Sequence, residues 1–396
     1  MAVVRQIAGQ LLVGGAGHFP RAAPFEFLRM GDQPGGQRAQ EQCQRDRPGD
    51  PKGLYATRFV YIDAPKGEAD TGRGAAAHRW VAGLLEMRPW RPIGEKDLEA
   101  IVELSLRCLA ADGGIGFLFE PSIIKSRYLP DGPRSGIGAY ASDGSLAACA
   151  SVGIRDDPGG RRARIVGQVH PDVRGRGIGT YLMQWSQEQA KALLAGVAEG
   201  QRVMEVATES LTEPAHRLYL AHGFVSVFEE LVMKRDLLLP LVDHPLPQDV
   251  TITNWQPGLA EQFFQAYHAS FRERPGFPGF SATEWIGQVT ENDHKPEWSL
   301  LMHIDGEPVG FVIGNIDLTD EPPGGYIGQI GVIPAQRRRG LASALLVETM
   351  RRMREDGANS ALLAVHINNP GAIEAYSRLG FIPVGRRARY QRMIST

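Results

Sequence analysis

The stretch from Val332 to Ala342 has an earlier partner in the same chain, Val169 to Gly179, and this duplication limits the possible folds more than any other feature. The later copy reads Val-Ile-Pro-Ala-Gln-Arg-Arg-Arg-Gly-Leu-Ala and the earlier one Val-His-Pro-Asp-Val-Arg-Gly-Arg-Gly-Ile-Gly. They agree at the Val, the Pro, two arginines, the Gly and a final small residue. Each copy follows an apolar, strand-like run and opens an amphipathic helix. One stripe carries Ile178, Leu182, Trp185 and Leu193; the other carries Leu341, Leu345 and Met353 beside Leu346 and Met350. A turn rich in Arg and Gly at a helix start aims free backbone N–H groups and the positive end of the helix dipole at phosphate, and Gly177 or Gly340 removes the Cβ that would block close approach.

Spacing separates this loop from better-known phosphate loops. A dinucleotide fingerprint needs Gly-x-Gly-x-x-Gly, yet Thr180 stands at the third place after Gly175 and Gly177, and the second copy has only Gly340. A Walker loop needs Gly-Lys-Ser/Thr, which neither copy has. What remains is Arg-x-x-Gly-x-Gly/Ala, met by Arg174, Gly177, Gly179 and by Arg337, Gly340, Ala342. This pattern resembles the pyrophosphate loop of the GNAT superfamily of acyl-CoA-dependent N-acyltransferases. A second motif follows each loop. The later copy reads Val365, His366, Ile367, Asn368, Asn369, Pro370, Gly371, Ala372, then Tyr376, Gly380, Phe381; the earlier has Thr208, Thr212, Pro214, Ala215, Tyr219, Gly223, Phe224. Asn369 or Thr212 is placed to cap a short helix, Pro370 suits its first turn, and Gly380 or Gly223 stops it. Two motifs, in one order, twice, identify the chain as similar to tandem GNAT proteins.

The resemblance implies an α+β fold of two GNAT-type domains, each a mixed, mostly antiparallel splayed sheet flanked by helices. Residues 1–83 are rich in Gly, Pro, Arg and Gln without an amphipathic period and are expected to form a disordered extension. Residues 84–238 form the first domain, 239–249 a Pro-rich linker and 250–396 the second. In the first domain, strands are expected at Leu85–Ile93, Gly136–Ala141, Leu146–Ile154, Ala163–Val169 and Val203–Thr208, with helices at Asp97–Leu109, Glu120–Tyr128 and Pro214–His222, and Phe224–Arg235 as a closing hairpin. Asp157 to Gly160 reads as a turn. The second domain repeats this order, Pro322 to Gly325 taking the turn's place and Phe381–Met393 ending the chain.

By the same resemblance, acyl-CoA lies between the fourth and fifth strands of a domain. The expected contacts in the second half are Val332, Arg337, Arg338, Arg339, Gly340, Leu341, Ala342 and Asn369; in the first they are Val169, Arg174, Gly175, Arg176, Gly177, Ile178 and Gly179. The arginines are candidates for charge-assisted bonds to phosphate. Transfer needs a neutral amine, a donor for the developing oxyanion and an acid for the departing thiolate. Tyr376 and Tyr219 are the acid candidates by resemblance, since a phenol near pKa ~10 can protonate a thiolate. The stretches Ile165–Gln168 and Ile327–Gly331 hold no carboxylate base, which leaves His366 and Glu209 at the strand ends as candidate proton relays. Phe271 to Phe280 is the expected acceptor lip, and Asp317, Asp320 and Glu321 form an acidic turn.

Net charge −2 provides no global basic field for nucleic acid. Cys43, Cys108 and Cys149 are scattered, without metal-ligand or disulfide spacing, which fits a reducing cytoplasm. No apolar run approaches the ~20 residues of a membrane span. The reading is a cytoplasmic acetyl-CoA-dependent N-acetyltransferase of a small-molecule amine, monomeric or homodimeric, with no metal, no nucleic-acid partner and no membrane association. Asn369 directs the expectation of catalysis to the second half. The doubled layout also resembles mycothiol synthase; a protein N-acetyltransferase, or an acyl-CoA-binding or drug-sequestering protein without turnover, are the alternatives.

Overall fold

In the computed structural model, residues 90–396 are described, apart from 158–159, 196–201, 275–276, 278, 292, 318–321 and 395–396. The expectations for residues 1–83 and for strand residues 85–89 lie outside them, as do Asp320, Glu321 and the tip of the Asp157–Gly160 turn. The first half runs β1 (Arg91–Pro92), α1 (Leu98–Asp112), α2 (Pro121–Tyr128), β2 (Arg134–Tyr140), β3 (Leu146–Asp157), β4 (Gly160–Val169), α3 (Ile178–Leu194), β5 (Val203–Thr208), α4 (Glu213–Ala221) and β6 (Val225–Asp236). The second half repeats it as β7 (Val250–Asn254), α5 (Ala260–Phe271), α6 (Ala282–Val289), β8 (Leu300–Ile304), β9 (Glu307–Asp317), β10 (Gly324–Val332), α7 (Leu341–Glu355), β11 (Ser360–His366), α8 (Pro370–Arg378) and β12 (Ile382–Met393).

Local chemistry accounts for the helix boundaries. Pro stands in the first turn of α2, α4 and α8, where the missing N–H costs nothing. Ser281 and Glu284 form a reciprocal capping box at α6. The helices α3 and α7 start at glycines in the left-handed region, Gly177 at φ 79° and Gly340 at φ 77°.

The twelve strands form one sheet in the order β1-β2-β3-β4-β5-β12-β6-β11-β10-β9-β8-β7. The halves therefore exchange their last strands. β12, the end of the second half, pairs antiparallel with β5 of the first, Ala388 opposite Thr208 and Met393 opposite Val203. β6, the end of the first half, pairs antiparallel with β11 of the second, Ser360 opposite Asp236 and His366 opposite Glu230. The two exchanged strands lie side by side at the centre of the sheet. This corrects the expected hairpin at Phe224–Arg235. Val225 to Asp236 holds no Gly, Pro or Asn to reverse it, so it stays one twelve-residue strand with a neighbour on each edge.

Alternation along the exchanged strands sends side chains into both layers. Val232 enters the core under α1 and α2, and Met233 enters the core under α7. Tyr390 and Ala388 of β12 complete the core of the first half beside Tyr219 and Phe224. Arg392 of β12 also donates from Nη1 to the His222 carbonyl at the end of α4, at 2.8 Å. The first half alone, residues 90–238, would leave the inner edge of β5 unpaired and these contacts unmade. Expressed separately it is expected to give no cooperative thermal unfolding transition by circular dichroism, whereas residues 90–396 melt in one step. A sharp melt of the short fragment would contradict this.

Candidate active site

In each half the fourth strand separates from the fifth. β4 pairs parallel with β5 only from Arg162 opposite Val203 to Ile165 opposite Val206, so Val166–Val169 leaves a gap. β10 pairs with β11 only from Gly325 opposite Ala361 to Ile327 opposite Leu363. β10 also carries a bulge between Ile327 and Gln329, which β4 lacks in its pairing with β3.

Both strands then enter a one-turn 3-10 segment, Pro171–Val173 or Pro334–Gln336. The first Arg of each loop folds back onto the strand end: Arg174 Nε donates to the Val169 carbonyl at 3.0 Å, and Arg337 Nε to the Val332 carbonyl at 3.1 Å. The helical ladder begins with the Tyr181 N–H bonding Gly177 in α3 and the Ala344 N–H bonding Gly340 in α7, both at 3.0 Å. The preceding N–H groups, from Ile178 to Thr180 and Leu341 to Ser343, lie in the first turn, where helix geometry offers no internal acceptor.

The two loops differ above that turn. At Gly175 and Gly177 an added Cβ would meet nothing within 4 Å. A cavity of about 230 Å³ runs from this loop into the β4–β5 gap, lined among others by Gly175, Gly179, Val166, Thr208, Thr212 and Tyr219. In the second loop the linker lies across the turn. His244 Nε2 sits 3.2 Å from the Gly340 carbonyl oxygen, and a Cβ at Gly340 would come within 2.9 Å of it. Arg339 bridges Asp249 and Gln336, each at 2.6 Å. Arg338 takes φ 65°, the left-handed place that Gly175 fills in the first copy.

The loop arginines expected at phosphate are largely committed within the protein. Arg174 makes a two-pronged pair with Asp112 at 2.6 and 2.7 Å, besides its bond to Val169. Arg337 adds a 2.9 Å bond to the Ser270 carbonyl. Their geometry suits shaping the loop, and the Asp112 and Ser270 partners, each over sixty residues away, gave no sequence signal. Arg176 and Arg338 are exposed; Ile178 and Leu341 are buried as the first apolar residues of their helices.

Of the two tyrosines, Tyr219 lies on α4, 9% exposed, in the cavity wall with its ring 5.0 Å from that of Tyr390. Burial raises its phenol above the ordinary value. Tyr376 on α8 packs against Phe381 at 6.1 Å between ring centres, and burial pushes its phenol up to about 12. Thr212 and Asn369 have the same function in their halves: each side-chain oxygen caps its helix, accepting from the Ala215 or the Ala372 N–H at 3.3 Å. His366 Nδ1 accepts the Asn368 N–H at 3.1 Å, and its ring meets Phe228 edge-on, an arrangement that closes the strand-end turn.

Glu209 is buried at 6% exposure. Its desolvation opposes ionisation, but Arg387, Arg389, Arg127 and Arg164 together hold the carboxyl well below the usual carboxylate range. Its oxygens face Arg387, Arg389 and Arg127, so the carboxylate sits at the centre of a buried ion-pair cluster. The phenylalanines of the expected lip, Phe271 and Phe277, pack onto Tyr267 at 5.6 Å each, and Tyr267 stacks on Trp285 at 4.8 Å. They belong to the core beneath α5 and α6; Pro275, Gly276 and Pro278 fall outside the described residues. Among the described residues there is no group of His, Cys, Asp and Glu able to hold a metal ion, and no helix is long and apolar enough to cross a membrane.

Comparison with known proteins agrees with this geometry. A family model described as the acetyltransferase (GNAT) family matches residues 260–381, and one described as an acetyltransferase (GNAT) domain matches residues 134–226. The mycothiol acetyltransferase of Frankia casuarinae is 30% identical over 255 residues, covering 58% of this chain and 67% of that protein. The mycothiol acetyltransferase of Thermobispora bispora is 28% identical over 290 residues, covering 72% and 92%. Among solved structures, a GCN5-related N-acetyltransferase from Sphaerobacter thermophilus superposes with a TM-score of 0.60 at 28% identity, covering 78% of this chain and 96% of that one. A tandem GNAT protein from the clavulanic acid biosynthesis pathway shares the fold at a TM-score of 0.52 and 17% identity, covering 78% and 99%. With both halves matched and both loops in place, the chain belongs to the GNAT acetyltransferase superfamily in its tandem form, an acyltransferase that uses acetyl-CoA as co-substrate.

Proposed function

We propose that the first half holds acetyl-CoA for transfer of its acetyl group to the primary amine of a small molecule. The cavity between β4 and β5 carries this reading, because it joins the α3 N-terminus to the buried face of Tyr219. The residues present fit the co-substrate. The N–H groups of Ile178, Gly179 and Thr180 suit a pyrophosphate, and the open space at Gly175 and Gly177 admits one. The Val166–Val169 backbone, freed from β5, suits an extended amide-bearing arm.

When bound, acetyl-CoA supplies an activated thioester. In the transfer a C–N bond forms, the C–S bond breaks, the amine gives up a proton and the departing thiolate takes one. Tyr219 is the candidate for that last step. Its raised pKa keeps the phenol protonated in the resting site, and the residue lines the cavity that runs into the gap. Arg174, tied to Asp112 and Val169, holds the loop in the shape that presents the helix start.

A second reading places transfer in the other half, as the sequence suggested. The bulge in β10 favours it, since bulges re-aim backbone groups next to active sites. A mycothiol-like acceptor is favoured by the names of the relatives at 30% and 28% identity.

Calorimetric titration of the full chain with CoA separates the halves. Gly179→Asp puts a carboxylate in the first turn of α3, where acidic residues suit a helix but repel phosphate. It is expected to weaken CoA binding by about tenfold or more, with the melting temperature unchanged, whereas Ala342→Asp leaves the tight site intact. The opposite pattern would move the site to the second half. No CoA binding to either half would remove the proposed site altogether.

A further inference from the structure

The face of the first-half cleft under α1 and α2 is lined with charge that the loop chemistry does not use. Along β4, Arg164 and Val166 share the face turned toward α2, and Ala207 of β5 and Glu209 just past its end share it. β12 brings Arg387 and Arg389 to the same face, with Arg389 opposite Ala207. α2 adds Arg127. Glu209 lies 3.0 Å from Arg387 and 3.6 Å from Arg127, and bonds Arg389.

The acidic partners are too few for these arginines. Glu230 approaches only Arg387, at 3.7 Å, while Glu205 is bridged to Arg162 at 3.2 Å and to Gln391 at 2.9 Å. Counting Arg162 with its partner Glu205, five guanidiniums face Glu205, Glu209 and Glu230, leaving two positive charges in excess. The shortage appears atom by atom. Arg387 Nε faces Glu209 Oε2 at 3.0 Å, but Arg164 Nε and Nη2, Arg127 Nη2 and Arg389 Nε are sealed from solvent without a hydrogen-bond acceptor. The Arg127 side chain is only 8% exposed, yet both Arg127 and Arg164 line the cavity. Burial, with repulsion from Arg389 and Arg127, pushes Arg164 down to about 9. Buried guanidinium nitrogens left without acceptors are costly, so such a site is completed by an anion.

We propose that the acceptor taken by this cleft carries, besides its amine, a carboxylate or phosphate group that Arg127 and Arg164 bind on the α2 side of the β4–β5 gap. This rests on the reading of the first half as the acetyl-CoA site. The planar guanidinium fork matches either oxyanion with paired hydrogen bonds, and the cavity walls strengthen them by excluding water. The anion anchors one end of the molecule while the amine is directed across the gap toward the α3 side. Selection would then follow from charge: a neutral analogue of the same length leaves the arginines unpaired and binds weakly.

The test is calorimetry on the full chain saturated with CoA, so that the phosphates of CoA are already seated. Two matched pairs are titrated: O-phosphoethanolamine against ethanolamine, and β-alanine against β-alaninamide. At least one anion is expected to bind about tenfold or more tightly than its neutral partner, and the pair that responds tells phosphate from carboxylate. Arg164→Gln and Arg127→Gln, each checked by its melting curve, are both expected to cut that preference to about threefold or less. Either variant that stays folded suffices for the comparison. Equal binding within both pairs, no binding of either anion, or a preference that survives in the folded variants would overturn the proposal. The preceding CoA titration is read separately: failure there removes the acetyl-CoA site and this inference with it, whereas CoA binding without anion preference removes only the inference.

Discussion

Replacing Tyr219 by Phe is expected to lower kcat for acetyl transfer by about 10²-fold or more, while CoA affinity and the melting temperature stay close to those of the parent. The ring remains to pack on Tyr390, so the core of the first half is kept, and only the proton donor is lost. Tyr376→Phe, which keeps the ring packed on Phe381, is expected to change kcat by no more than about threefold. Steady-state thiol release under saturating acetyl-CoA measures both. If the large loss falls on Tyr376 instead, transfer belongs to the second half, and the β10 bulge becomes the better guide to the site. Equal, small losses from both would leave neither phenol as the acid.

The largest stability effect should come from Glu209. Removing its carboxylate as Glu209→Ala leaves the surrounding arginines uncompensated in a buried place, which costs roughly 3–5 kcal/mol. For a chain of this size that is about 10 °C in Tm. Differential scanning calorimetry checks it, and a change of only a degree or two would mean that water or rearranged side chains already satisfy the arginines. The same group predicts a pH dependence. Its folded pKa is depressed, chiefly by Arg387 and Arg389 acting against desolvation, from an ordinary value of 4.5. The stabilisation it contributes is therefore fully present above about 4.5 and is lost as the pH falls from there through the depressed folded value. Over that acid range the parent should lose Tm faster than Glu209→Ala.

Much of the architecture is legible in local sequence. The strand limits Val203–Thr208 coincide with those expected, and the helix expected at Glu120–Tyr128 differs only in its first residue. The loop glycines Gly177 and Gly340 take the left-handed conformation that their position at a helix start requires. These features depend on interactions within a few residues, such as Thr212 capping Ala215 or Ser281 capping Glu284. Partner choice is different. A strand such as Val225–Asp236 records its own alternation but not which edges will flank it, and a hairpin within one half seemed the shorter route. Pairing with β11 and β12 was preferred because a strand without turn residues can fill both of its edges only by staying straight.

The candidate site divides in the same way. Sequence by itself determined the two Arg- and Gly-rich loops, the short helices bearing Tyr219 and Tyr376, and hence the family, because each motif is a contiguous stretch whose backbone geometry is set locally. Only the tertiary structure decided how the two loops differ, through His244 and Asp249 of the linker reaching Gly340 and Arg339 of the second loop. It alone also assembled Arg127, Arg164, Glu209, Arg387 and Arg389, which the chain keeps up to 262 residues apart and the strand exchange brings to one face. Charge buried in this way acts through distance in space, and distance in space is set by the exchange of β6 and β12.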